Sequence, residues 1–298
     1  MAAERTAVSP LGLALGGGTA RGLAHIGALK VLESRGLAPD LIAGTSSGAI
    51  IAALYALGIP AVELEQLVRR QNILELWSTA LDFGLHRASF VHGRRLERWL
   101  DRKVFFGATF ADCMMPLAVA CTDVADGTPV VVRSGSLARA VVASSALPVL
   151  LAPVTIDNRV LIDGGFVEAV PFQALRTLRP GRMIGVHAGL DPKSSTLVRL
   201  LRRLGASKLS AAWAGASAGL SPTTALRSLV RGISCALGSY ACEQTVPAGA
   251  LLVRADPPLS WWDFHRSPEA IAAGEAAMNR ALDVWSEQKM DSLERNEA

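Results

Sequence analysis

The sequence contains little that points to a metal, a redox centre or a secretory route. Its 298 residues include four cysteines, none in the paired spacing that is typical of metal ligands. The first residues, which include Glu4 and Arg5, contain no apolar signal core, and Arg21 interrupts the first apolar run. We therefore expect reduced cysteines, a cytoplasmic protein, and a function that uses no metal and no other cofactor.

Acidic residues are absent from residues 192–242, although the net charge of the whole chain is only +4. Leucines and arginines alternate at helical spacing in "LVRLLRRL" (197–204), and "LSAAWAGASAGL" (209–220) is small and uncharged. A basic, partly apolar helical segment is typical of contact with an anionic membrane. A solvated arginine face on an ordinary helix explains it equally well. No nucleic-acid-binding module is recognisable, so we expect no nucleic-acid partner. The basic residues of this segment are Lys193, Arg199, Arg202, Arg203, Lys208, Arg227 and Arg231.

Charge of either sign is also absent from residues 41–62, a run long enough to span a bilayer. The run contains Gly44, Gly48, Gly58 and Pro60, which disfavour a continuous membrane helix. A buried strand, a sharp turn and a buried helix account for it better.

The order of apolar segments indicates an α/β fold. Continuous apolar strands alternate with helical patterns in the first 60 residues, which is typical of a parallel sheet covered on both faces. We predict a single domain over residues 1–298, a three-layer α/β/α sandwich with a mostly parallel central sheet. Predicted strands lie within 11–18, 39–44, 116–123, 128–133, 160–165, 182–188 and 249–256. Predicted helices lie at 21–36, 47–58, 60–71, 93–103, 137–148 and 268–288, with a loop at 82–92.

The stretch "LIAGTSSGAI" (41–50) places Ser46 between a predicted strand and a predicted helix. Gly44 and Gly48 stand two residues to either side, which allows a tight strand-to-helix turn with the serine exposed at its tip. The free N–H groups of the following helix would face the hydroxyl. The pattern indicates a nucleophilic serine, although glycine–serine pairs also fill ordinary turns.

A serine nucleophile needs a base, and the histidines offer no distinctive candidate. His25 lies among apolar residues of a predicted helix, and His187 ends a predicted strand. Asp163 is a better candidate, because it ends an apolar strand where α/β sites form and is followed by Gly164 and Gly165. An ordinary Asp-Gly turn is the competing interpretation. The remaining histidines are His86, His92 and His265.

The segment "GGGTARG" (16–22) predicts a glycine-rich loop between a strand and a helix. Such a loop presents backbone N–H groups to an anion, either a phosphate or the oxyanion of an acyl-transfer intermediate. It matches neither of the common nucleotide-binding glycine motifs. Arg21 adds a positive charge close to it.

Taken together, the glycine loop with Arg21-Gly22, the elbow from Gly44 to Gly48, and Asp163-Gly164-Gly165 resemble the bacterial patatin-like phospholipases. Further similarity lies in "RGLAHIGALKVLE", "LAVACTDVADG", "ASSALP" and "DFHRSPEAIAAGEAAM". The resemblance is good over residues 10–190 and returns weakly near 262–280.

The resemblance implies a lipid acyl hydrolase that cleaves carboxylic esters of phospholipids or lysophospholipids through an acyl-serine. Ser46 would be the nucleophile and Asp163 its partner in a Ser-Asp dyad without histidine. The oxyanion hole would come from the amides of Gly17, Gly18 and Thr19, aided by the charge of Arg21. The supporting glycines of these motifs would be Gly16, Gly22, Gly44, Gly48, Gly164 and Gly165.

One position departs from the family pattern, since the family usually has a third glycine where Thr19 stands. A side chain there restricts the backbone of the predicted oxyanion hole. Three alternatives remain open at this point: a carboxylesterase or acyltransferase acting on other lipids, a non-catalytic lipid-binding module, and a nucleotide-binding protein that uses the glycine loop.

Overall fold

The computed structural model describes residues 9–70, 93–147, 151–189, 245–260 and 263–297. The predicted loop at 82–92 and the basic segment at 192–242 lie outside these ranges. The single-domain organisation over residues 1–298 therefore stays a prediction.

The described strands form one eight-stranded sheet whose hydrogen-bonded path runs β5-β6-β3-β2-β1-β7-β8, with β2 and β6 on successive parts of one edge of β3 and β4 on its other edge. Strands β3, β2, β1, β7 and β8 are parallel to one another. Strands β4 and β6 each pair antiparallel with β3, and β5 pairs antiparallel with β6. The predicted mostly parallel sheet is confirmed. The strands are β1 (Leu11–Leu15), β2 (Leu41–Gly44), β3 (Leu117–Asp123), β4 (Pro129–Val132), β5 (Val154–Ile156), β6 (Arg159–Asp163), β7 (Arg182–His187) and β8 (Leu251–Arg254).

The helices lie on both faces of this sheet, and each of the predicted helices is present. Two short elements had no clear sequence pattern: strand β5, of three residues, and helix α6, of five. The helices are α1 (Ala24–Ser34), α2 (Ser47–Ala56), α3 (Ala61–Arg70), α4 (Gly93–Leu100), α5 (Leu137–Ser144), α6 (Phe172–Arg176) and α7 (Ser267–Glu297). Short helical turns lie at Thr19–Leu23, Asp101–Phe105, Phe110–Asp112, Gly164–Phe166 and Phe264–Arg266.

Alternation along the strands separates two hydrophobic cores. Leu13 and Leu15 of β1 pack in the larger core with α1, α2, α5 and α7, whereas Ala14 packs in a smaller core on the opposite face. Phe172 and Leu175 of α6 fill that second core. Because successive strand residues point to opposite faces, an apolar run with large and small residues in alternation produces two cores of unequal size. These layers confirm the predicted α/β/α sandwich.

The uncharged run at 41–62 forms β2, a turn, α2 and the start of α3, as the glycines and proline predicted. Within the described residues, no helix combines the length and the apolar character needed to cross a bilayer.

Helices α1 and α7 approach each other through two glycines. A Cβ atom at Gly27 would overlap the carbonyl oxygen of Ile271, and one at Gly274 would overlap that of Ala24. Glycine is the residue that permits such a close backbone approach. The crossing holds the end of the chain against α1, which follows directly after the glycine loop and its helical turn.

Gly27→Ala should lower the free energy of unfolding by about 1–3 kcal/mol, because the added methyl group forces α1 and α7 apart. Ala272→Ser on the exposed side of α7 is the matched control, with an expected change within about 0.5 kcal/mol. Denaturant unfolding measures both, and equal stability of Gly27→Ala and the parent would contradict the close crossing.

Candidate active site

Ser46 occupies a strained position between β2 and α2. Its backbone has φ 54° and ψ −124°, and it is the N-cap residue of α2. A positive φ is costly for a residue other than glycine and persists only where the surrounding structure imposes it. Ser46 is 8% exposed, so its hydroxyl lies in a nearly enclosed site. The sharp turn predicted from the sequence is present.

The strained turn is fixed by hydrogen bonds from both sides. The backbone N–H of Ser46 donates to the hydroxyl of Ser144 at 2.9 Å, and that hydroxyl donates to the carbonyl oxygen of Ala120 at 2.6 Å. The N–H of Thr45 donates to the carbonyl oxygen of Leu15 at 3.0 Å. Ser144 is fully buried in α5 and links the elbow to β3. The sequence analysis assigned no role to Ser144. The only indication of its importance was that it lies in the family-like stretch "ASSALP".

The two elbow glycines lie where the chain has no room for a side chain. A Cβ atom at Gly44 would collide with the backbone of Gly48 and Ala49, and one at Gly48 with the carbonyl oxygens of Leu15 and Gly16. The first turn of α2 therefore lies directly against the end of β1, which brings the glycine loop beside the serine.

Asp163 reaches Ser46 because β2 and β6 share one edge of β3. On that edge β3 pairs with β2 at residues 117–119 and then with β6 at residues 121–123, while β4 covers the other edge. β2 runs parallel to β3 and β6 antiparallel, so their carboxyl ends face each other. Gly44 and Asp163 are the residues at these two ends, which places Asp163 beside the elbow.

The carboxylate of Asp163 is buried beside Ser46 in the same cavity. It accepts the backbone N–H of Gly165 at 2.7 Å, and Asp163 is 3% exposed. Burial raises the pKa of Asp163 to about 6, although the neighbouring Ser46 hydroxyl and the N–H of Gly165 stabilise the charged form and oppose the shift.

The glycine loop contributes two unoccupied amides to the same site. The amides of Gly16 and Gly17 donate to the carbonyl oxygens of Val186 and Ala169, at 3.0 and 3.2 Å. Among the described residues, those of Gly18 and Thr19 meet no acceptor. Of the three amides predicted for an oxyanion hole, that of Gly17 is therefore occupied in this structure.

Thr19 adopts the conformation that glycine favours. Its φ is 49°, in the left-handed region, and its hydroxyl donates to the carbonyl oxygen of Gly18 at 2.7 Å. A β-branched residue there is an outlier that strains the backbone. The threonine that replaces the family's usual glycine therefore strains the backbone of the predicted oxyanion hole.

Two other predicted residues lie beside the loop and not in the site. Arg21 is absent from the residues that line the cavity around Ser46, and its guanidinium forms an ion pair with Asp256 at 3.6 Å. Gly22 lies against the side chain of Ser47. The predicted contribution of Arg21 to the oxyanion hole therefore has no direct contact to support it.

The three described histidines lie in different environments. His25 is fully buried, and its Nε2 donates to the carbonyl oxygen of Gly16 at 2.7 Å, so it supports the loop as well as packing in the core. Burial lowers the pKa of His25 to about 4. His187 lines the cavity with Ser46 and Asp163, and His265 is exposed in a turn before α7. His86 and His92 lie outside the described residues.

Two cavities meet at Thr19. The smaller, of about 90 Å³, is lined by Ser46, Asp163, Gly18 and Thr19. The larger, of about 640 Å³, is mostly apolar and begins at Thr19 and Ser47. It extends between α2, α3, α4 and α5. Apolar side chains that line it include Ile50, Leu54, Leu96, Trp99, Val104 and Val141.

No group of three or more His, Cys, Asp or Glu side chains in the described part of the chain is arranged to hold a metal ion.

The raised pKa of Asp163 predicts a cost in stability at neutral pH. Its folded pKa of about 6 lies above the ordinary value of 3.8, so the folded state binds this proton more tightly than the unfolded chain. The stabilisation from the neutral carboxyl is present below about pH 4 and is lost as the pH rises through about 6. Asp163→Asn should therefore raise the free energy of unfolding at neutral pH by on the order of 3 kcal/mol, and change it little in acid. Denaturant unfolding at both pH values measures this. Equal effects of the substitution in acid and at neutrality would contradict it.

Sequence comparison finds one family model and several relatives of this chain. The profile of the patatin-like phospholipase family matches residues 13–176. Lysophospholipase NTE1 of Pyricularia oryzae is 31% identical over 189 residues, which are 63% of this chain and 12% of that protein. An uncharacterised NTE family protein of Mycobacterium bovis is 30% identical over 292 residues, 94% of this chain and 48% of that protein. The chain thus spans less than half the length of these curated relatives.

Structural comparison supports the fold. The crystal structure of VipD from Legionella pneumophila superimposes with a TM-score of 0.57 at 15% identity, over 93% of this chain and 67% of that one. At this identity the likeness concerns the fold alone. The family profile covers more than half of the chain, including the glycine loop, the serine elbow and Asp163, and the chain therefore belongs to the patatin-like phospholipase family.

Proposed function

We propose that this protein hydrolyses carboxylic ester bonds of phospholipids or lysophospholipids, with Ser46 as nucleophile and Asp163 as its base. The observation that carries the proposal is the single cavity that brings the strained Ser46, the buried Asp163 carboxylate and the free amides of the glycine loop together. Membership of the family and the lysophospholipase relatives support a lipid substrate.

Acyl transfer to Ser46 starts with attack of its oxygen on the ester carbonyl carbon, while its proton passes to Asp163. The tetrahedral intermediate collapses, the ester C–O bond breaks, and the leaving alcohol takes that proton from Asp163. Water then attacks the acyl-serine and gives its proton to Asp163, which returns it to Ser46 as the fatty acid leaves. Each step uses one proton donor and one acceptor.

The burial of Asp163 suits it to this double role. A carboxylate of ordinary pKa is a weak base toward a hydroxyl, and a pKa of about 6 brings it closer to the working pH. At neutral pH it is still mostly ionised and ready to accept the serine proton.

The oxyanion is assigned to the amides of Gly18 and Thr19, near the N-terminus of α2. One such donor typically lowers the barrier by about 3 kcal/mol. Gly17 shapes the loop through its hydrogen bond to Ala169. In this assignment Arg21 does not contact the oxyanion, and its role is to hold the glycine loop in place.

The apolar cavity is assigned to the acyl chain. It begins at Thr19 and Ser47, next to the nucleophile, and its volume of about 640 Å³ lies in the range of ligand sites in proteins. A long hydrocarbon chain is the part of a lipid that such a lining favours.

Three rival functions can be separated from this one by experiment. A carboxylesterase or acyltransferase on other lipids would use the same dyad, and comparing phospholipids, lysophospholipids and neutral esters as substrates separates them. A non-catalytic lipid-binding module would need neither Ser46 nor Asp163, and labelling of Ser46 by a fluorophosphonate rejects it. The same labelling argues against a nucleotide-binding role for the glycine loop.

Ser46→Ala and Asp163→Asn should each lower turnover of a lysophospholipid by at least about a thousandfold, because residues that act as one unit fail together. The activity of the parent should rise with pH through about 6, as Asp163 becomes available as a base. Enzymatic release of fatty acid measures both effects.

His187→Ala is the matched control, since His187 lines the same cavity but has no part in the proposed proton transfers. It should retain most of the activity. A folded His187→Ala protein as inactive as Ser46→Ala would replace the dyad with a triad.

The basic segment 192–242 lies outside the described residues, and its contact with anionic membranes stays a prediction from its charge. Reversal of Arg199, Arg202 and Arg203 to glutamate should weaken binding to anionic liposomes and leave turnover of a small soluble ester almost unchanged. Co-sedimentation and the ester assay are run on the same protein. Undiminished liposome binding would leave these arginines as an ordinary solvated face.

A further inference from the structure

The segment of residues 93–106, here called the mouth segment, has two chemically different faces. Leu96, Trp99, Leu100 and Val104 line the apolar cavity. Arg94, Arg98 and Arg102 recur every four residues and are exposed. The apolar face is therefore turned toward the protein, and the segment presents its basic face on the outside.

Phe106, the last residue of the mouth segment, has an exposed ring and a strained backbone. It is 81% exposed, and it also lines the apolar cavity, so it stands at the cavity opening. Its φ is 51°, and the N–H of Gly107 donates to the carbonyl oxygen of Asp101 at 2.9 Å. This is the helix-ending arrangement in which glycine usually occupies the left-handed position. An exposed aromatic ring and a strained backbone at one residue point to a role outside the folded core.

One of the other exposed apolar side chains lines the same cavity as Phe106. Six large apolar side chains are exposed among the described residues, and four of them fall between positions 62 and 114. Two of these, Leu67 and Phe106, line the same cavity from α3 and from the mouth segment. The cavity therefore opens through a rim that is itself apolar. The six are Val62, Leu67, Phe106, Met114, Val246 and Val284.

The charge outside this rim is positive. The mouth segment contains five basic residues and two acidic ones. One of the acidic residues, Glu97, is paired with Arg139 of α5 at 3.2 Å, which adds a further cation beside the segment. Lys103 lines the cavity near its opening. The basic residues are Arg94, Arg95, Arg98, Arg102 and Lys103, and the acidic ones are Glu97 and Asp101.

We propose that the mouth segment docks on the surface of an anionic phospholipid bilayer, with Phe106 inserted among the acyl chains and the arginines against the phosphates. The cavity opening then faces the lipid, so that a single acyl chain moves from the bilayer toward Ser46 without crossing water. Delivery of the acyl chain to Ser46 rests on the proposed lipid hydrolysis. Binding of the mouth segment to the bilayer does not require that reaction.

The test uses the full chain with Ser46→Ala, so that no lipid is hydrolysed and the outcome does not depend on the proposed reaction. Binding is measured by co-sedimentation with vesicles of phosphatidylcholine containing about one third phosphatidylglycerol. Arg98→Glu with Arg102→Glu should weaken binding about tenfold or more, and more strongly at low salt than at high salt. Arg280→Glu, an exposed arginine on α7, is the charge control and should bind within about twofold of the parent.

Phe106→Gly tests the aromatic ring separately. Glycine is the favoured residue at this position, so the variant should melt no lower than the parent, and a loss of binding then has no explanation in misfolding. We expect binding to fall about tenfold, while Val284→Ala on α7, which removes another exposed apolar side chain, changes it little.

Three outcomes would overturn the proposal: no binding of the parent to anionic vesicles, undiminished binding of either mouth-segment variant, or equal losses in the two α7 controls. Loss on reversal of Arg199, Arg202 and Arg203 with none in the mouth-segment variants would assign the docking to residues 192–242 instead. Failure of the proposed hydrolysis would show in the assays of Ser46 and Asp163 and would leave these binding results unchanged.

Discussion

The pairing of two opposed strands along one edge of β3 is the constraint on which the candidate site depends. β2 delivers Ser46 and β6 delivers Asp163, and the register of both strands is fixed by hydrogen bonds to the same neighbour. A slip of β6 by one residue would turn Asp163 to the other face of the sheet. The burial of the carboxylate beside the serine elbow follows from this junction, whereas the glycine loop is placed by the contact of α2 with the end of β1. The relay from Ser46 through Ser144 to Ala120 ties the elbow to the same strand.

The site concentrates features that work against stability. Ser46 and Thr19 have strained backbones, and Asp163 is a carboxylate with almost no exposure to water. The surrounding core is large enough to hold them, since β1, α1, α2 and α5 contribute mostly fully buried side chains. Strain of this kind persists where the rest of the structure imposes it, and it is commonly concentrated at functional sites. Burial of Asp163 both destabilises the fold at neutral pH and provides the basicity that the proposed reaction needs.

Much of the fold was predictable from the sequence because its signals are local. Continuous apolar runs predicted the parallel strands, and the glycines around Ser46 predicted the elbow. Asp163 was predicted only as the end of an apolar strand. Its contact with Ser46 depends on the antiparallel insertion of β6, which no local pattern encodes. Ser144 and the occupied amide of Gly17 escaped prediction for the same reason, since both depend on partners far along the chain. Phe106 reads as an ordinary aromatic residue in the sequence, and only its exposure and its positive φ distinguish it.

Thr19 lines both cavities, and this position would join two properties of the proposed hydrolase that could otherwise vary separately. Its side chain takes up space where the two cavities adjoin, while its backbone angles set the direction of an amide beside Ser46. In the proposed reaction, a substitution at this residue would alter both the fit of the acyl chain and the rate of the chemical step. Residues that line only the larger cavity, such as Leu54 and Val141, would change the fit of the acyl chain and leave this amide in place.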